Sequence, residues 1–134
     1  MYSGSYICLC SAHLFLLASI FNYNWGNYFE SIFIFALYFT SLIYHSKPKP
    51  NNKILDETVS RIAIGVSIAT SLYNSNILPT IFTTLVMYMY YHSPNFTINT
   101  YISNIYHAIC IHLIGFLGFI ALYYNVNTLV YSIE

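Results

Sequence analysis

A few titratable side chains of this sequence stand where titratable side chains are expensive. His45, Asp56, His92, His107 and His112 lie in or at the ends of strongly apolar stretches, and inside a membrane each such group is a functional-site candidate by default. Neutral imidazole is the usual ligand nitrogen for zinc. Three histidines and a water form the open tetrahedral site of catalytic zinc, in which the water reaches a pKa of about 7 and becomes a nucleophile. A carboxylate beside such a site can take the proton, and Asp56 is the candidate, with Glu57 its substitute if the helix is turned. Ser41 and His45 are four residues apart, so a helix stacks their hydroxyl and imidazole on one face.

The elements that must hold these residues follow from the composition. Of 134 residues, 57% are hydrophobic and only 6% charged, against about a quarter charged in a soluble domain. With a mean hydropathy of +0.59, the chain reads as an all-α integral membrane protein. Its zero formal charge argues against a nucleic-acid partner and leaves membrane lipid as the expected one. Cys8, Cys10 and Cys110 are too few for a disulfide framework and are expected to stay reduced.

Spanning about 30 Å of hydrocarbon takes roughly 20 apolar residues as a helix. Five segments qualify, at about 5–23, 28–45, 55–73, 77–92 and 98–124, and residues 1–134 are expected to form a single transmembrane helical domain. The first has no basic start and reads as a retained span, not a secretory signal. Asn22 to Asn27, Asn74 to Asn76 and Ser93 to Asn95 punctuate the run, and the lysine-, proline- and asparagine-rich stretch 46–54 reads as a non-helical loop. All four cations, Lys47, Lys49, Lys53 and Arg61, lie in or beside that loop, which places it and the N-terminus in the cytoplasm. The sequon Asn95-Phe96-Thr97 then faces the cytoplasm and stays unmodified. In this arrangement His45, Asp56, His92 and the first half of the last segment meet at one membrane face.

His107 and His112 are five apart. On a regular helix that turns the second ring about 140° from the first, whereas four residues would leave about 40°. A π-bulge within Ala108 to Ile111 would absorb the extra residue. Alternatively, one of the pair binds and His92, Asp56 or Cys110 completes the shell.

The stretches SLIYHS (Ser41 to Ser46), ILDETVSRIAIG (Ile54 to Gly65) and YHAICIHLIGFLG (Tyr106 to Gly118) resemble the CREST superfamily of membrane hydrolases. That group includes alkaline ceramidases, adiponectin receptors, hemolysin-III-like and myomaker-like proteins. Its pattern is Ser-x3-His on the second helix, Asp at the start of the third and His-x3-His on the last. The resemblance implies that His45, His107 and His112 hold zinc, while Asp56 and Ser41 position the water and the carbonyl of a lipid amide or ester, ceramide-like or glycerolipid. It covers the second, third and fifth segments of a chain with five spans where the family usually has seven.

A non-catalytic small membrane protein is the alternative: a degenerate relative, an assembly factor or a pore-forming homo-oligomer. On that view His45 and His92 are interfacial, His107 and His112 hydrogen-bond between helices, and Asp56, Glu57 and Arg61 make a charged helix start. His13 is read as packing or an interhelical hydrogen bond, Cys-x-Cys as two side chains pointing apart, and the fifteen tyrosines as an aromatic belt.

Overall fold

The computed structural model describes residues 6–92 and 100–122, which are helices joined by short turns and loops. Helices α1 (Tyr6–Asn24), α2 (Tyr28–Ser46), α3 (Pro50–Tyr73) and α4 (Ile77–Tyr91) follow one another up and down. The last, α5, is α-helical over Thr100–Tyr106, π-helical over His107–Leu113 and α-helical again over Ile114–Ile120. Each helix packs on its successor through α4, and α5 closes the bundle against α1 and α4. The sequon at Asn95 lies outside the described residues.

Among the described residues three helices are long and apolar enough to cross a membrane: α1, α2 and α5 over Tyr101–Ile120. The apolar α4 has 15 residues, a rise of about 22 Å against a hydrocarbon layer of about 30 Å. The 24-residue α3 has the length but carries Lys53, Asp56, Glu57 and Arg61. Five spans by sequence therefore become five helices among the described residues, three of them membrane-length and apolar. The loop expected over 46–54 also shrinks to 47–49, because α3 starts at Pro50. Proline suits the first helical position, where its missing N–H would have had no partner and its φ is already helical.

Two tight reversals set the helix order. After α1, Gly26 adopts φ 84°, Asn27 N–H bonds the Asn22 carbonyl at 2.8 Å and Gly26 N–H that of Tyr23 at 3.1 Å. After α3 the same pair of bonds recurs, Asn76 to Ser71 and Ser75 to Leu72, with Ser75 at φ 54°. Both are Schellman endings, and only the first uses the glycine that this backbone favours.

The small apolar core consists of Phe15, Ala18, Ile34, Leu37, Ala63 and Phe119. Polar residues share the interior with it, among them Ser19, Asn22, Glu30, Ser41, Asp56, Ser67, Thr83 and His112. Large apolar side chains face outward, Ile32 at 66% and Leu72 at 67% exposure. Apolar outside and polar inside is an arrangement suited to lipid as the surrounding medium. Gly115 and Gly118 let neighbours approach α5: a Cβ on the first would stand 3.5 Å from Phe15 of α1, and on the second 3.1 Å from Phe82 of α4.

Candidate metal centre

His45 stands in the last turn of α2, and α5 brings His107 and His112 to meet it. In the π-helical stretch the backbone bonds run to the fifth residue back, as from Ile114 N–H to the Ile109 carbonyl, so residues five apart come into line. The ring centroids of His107 and His112 are accordingly 4.8 Å apart, and those of His45 lie 5.0 and 5.1 Å from them. The ligand atoms of all three lie within 4.8 Å of one another, and the group can bind a metal ion. Nitrogens sharing one tetrahedral zinc at 2.0–2.1 Å stand about 3.4 Å apart, so the rings close by about an ångström around an ion.

Two observations support that fit. His45 Nε2 is buried and has no hydrogen-bond partner among the described residues, a cost that a ligand would remove. His112, 1% exposed, has its Nδ1 2.6 Å from the Ser11 hydroxyl of α1. In the arrangement where Ser11 gives its single proton to the Cys8 carbonyl at 3.1 Å, its oxygen accepts the ring N–H. His112 is thereby held as the Nδ1–H tautomer with Nε2 left as its ligand nitrogen, the arrangement by which metal-bound histidines are usually oriented. Phe15 meets the same ring edge to face, with centroids 5.1 Å apart.

Asp56, in the second turn of α3, faces α2: Thr40 and Ser41 both donate to its Oδ1 at 2.9 Å. Ser41 thus engages the carboxylate instead of His45. The turned-helix alternative, with Glu57 in that place, is not the one adopted, because Glu57 faces Lys53 at 3.8 Å and accepts from the Tyr90 hydroxyl of α4. A cleft of about 100 Å³ between α3 and α4 connects these groups, with Ser41, Asp56, His107 and His112 among its lining.

The remaining candidates lie elsewhere. His92 is exposed at the end of α4, stacked 4.2 Å from Tyr88, and neither it, Asp56 nor Cys110 joins the three-histidine group. His13 donates to the Leu9 carbonyl within its own helix at 2.9 Å and packs on Tyr38 of α2, so of its two expected roles it takes packing. Cys8 is buried and Cys10 exposed, as their two-residue spacing predicts.

Sequence reasoning passed over Ser11, because a serine on an apolar helix carries no local sign of its partner 101 residues away. It also passed over the far end of the bundle. There Asn22 donates to the Phe119 carbonyl at 3.0 Å and Asn76 to that of Ala121 at 2.9 Å, capping the last turn of α5. Buried Glu30 accepts from Thr70 nearby. Compared with known protein families, curated proteins and solved structures, the chain matches none.

Proposed function

We propose that the chain is a compact CREST-like membrane hydrolase, in which His45, His107 and His112 hold zinc and a lipid amide or ester is cleaved. The observation that carries this reading is the π-helical turn of α5, which brings half-buried His107 and buried His112, five residues apart, beside the orphaned Nε2 of His45. His45, His107 and His112 would hold the zinc, which when bound would supply an acidified water and a Lewis acid for the carbonyl.

The chain's own residues supply the rest. Asp56 takes the proton from water: Thr40 and Ser41 occupy Oδ1 and fix the carboxylate, leaving Oδ2 for the transfer. Ser41 holds that base in place and lines the cleft where the substrate carbonyl would sit. Ser11 keeps the ring of His112 oriented. Ile64, Val86 and Met87 line the cleft and suit an acyl chain, either of a ceramide or of a glycerolipid. The lysine-rich connection before α3 supports a cytoplasmic location for this end of the bundle.

The purified protein is expected to carry about one zinc per chain. Metal-free protein, obtained under conditions that retain zinc, would overturn the proposal. Asp56→Asn is expected to keep the zinc and to lose about 10²- to 10⁴-fold in hydrolysis of a ceramide and phospholipid panel. Zinc retained by the wild type with no hydrolysis of either class would instead favour the non-catalytic alternative.

A further inference from the structure

The cleft that reaches His107 and His112 also contains a cation the proposed chemistry does not use. Arg61 lies eleven residues into α3, about 16 Å along its axis from Pro50. Its side chain is exposed and lines the cleft. A guanidinium is always charged, and in an apolar setting it calls for a partner.

The nearby acids are already engaged. Asp56 is held by Thr40 and Ser41, and Glu57 by Lys53 and Tyr90. Among the described residues Arg61 has no ion pair. The charge at this end is unbalanced as well: Lys47, Lys49, Lys53 and Arg61 stand against Asp56 and Glu57, while Glu30 is at the far end of α2. Ile64, Val86 and Met87 give the cleft an apolar wall, alongside Glu57, Ser60 and Tyr90.

We propose that Arg61 makes the outer part of this cleft a binding site for a lipid phosphate, with the acyl chain along the apolar wall. The proposal rests on the hydrolase reading for its consequence, that the substrate is phosphate-headed, but the binding itself needs no metal. The planar guanidinium fork matches two phosphate oxygens. The long stem lets the charge rise along the helix toward the level of Glu57 and Tyr90, where a head group meets the apolar region. Phosphate is preferred to carboxylate because it is the anionic group that membrane phospholipids carry in abundance.

The test uses the full chain in neutral maltoside micelles with a chelator present, titrated calorimetrically with dodecyl phosphate, dodecanoate and dodecanol. Dodecyl phosphate is expected to bind at least about tenfold more tightly than the other two, Arg61→Gln to remove that preference, and Arg61→Lys to keep part of it. A thermal melt of each variant checks that it is folded, and Arg61→Lys against wild type decides the matter if Arg61→Gln does not fold. Equal affinity for phosphate and alcohol, a preference for dodecanoate, or an unchanged preference in Arg61→Gln or Arg61→Lys would overturn the proposal. Because the protein is stripped of metal, a phosphate preference survives failure of the zinc proposal, and a zinc-binding protein with no such preference loses only this site.

Discussion

At the end of the bundle where α1 turns into α2, buried polar groups are satisfied by one another; at the opposite end, where α2 turns into α3, one is not. Asn22 has both faces of its amide occupied, by the Ala18 and Phe119 carbonyls and by the Asn27 side chain. Ser19 and Ser31 bond each other across α1 and α2, and Ser71, Asn76 and Thr80 form a second closed group. The other end holds His45 with a buried nitrogen unpaired and two more imidazoles about 5 Å away. The difference separates structural polarity from receptive polarity. A closed network orders helices in a medium that offers them little apolar driving force, whereas converging imidazole nitrogens, one of them without a hydrogen-bond partner, can accommodate a cation.

That contrast can be broken most directly by His45→Ala. Zinc content is expected to fall from about one per chain to near zero, measured by atomic emission, with the helical circular dichroism kept. Asn22→Ala should do the reverse, destabilising the fold by about 2–3 kcal/mol in detergent unfolding while leaving zinc stoichiometry intact, because it strands the Phe119 carbonyl. If Asn22→Ala also lost the metal, the two ends would not be separable. Ser11→Ala sharpens the comparison: zinc affinity should drop about 10- to 100-fold in competition with a chromophoric chelator, and Ser11→Thr should restore it. The smallest effect is expected at Ser75, which holds a left-handed backbone without being glycine. Ser75→Gly should stabilise the protein by about 1 kcal/mol with no change in metal binding.

The helices and most of their limits were legible in the residues. Apolar runs of span length separated by asparagines, glycine and serine leave few other ways to fold, and the starts of α2 and α4 fall at Tyr28 and Ile77 as the runs predict. The start of α3 was not legible, because a proline that breaks a helix interior initiates one at the first helical position, as Pro50 does. The ionisable residues of the site were legible as types that apolar segments rarely tolerate. Their partners were not: Thr40, Ser11 and Asn76 look like any other small polar residue until a neighbouring helix supplies the second half of each hydrogen bond.

The spacing of His107 and His112 marks where the two sources of information divide. By itself the sequence determined that both imidazoles lie on one helix, that five residues separate them, and that a regular helix would turn them apart. Only the tertiary structure decided between that helix and a π turn, because the choice depends on what the ring of His112 finds on α1: the Ser11 hydroxyl and the face of Phe15. A widened turn weakens local backbone geometry, and contacts made across the bundle must offset that cost.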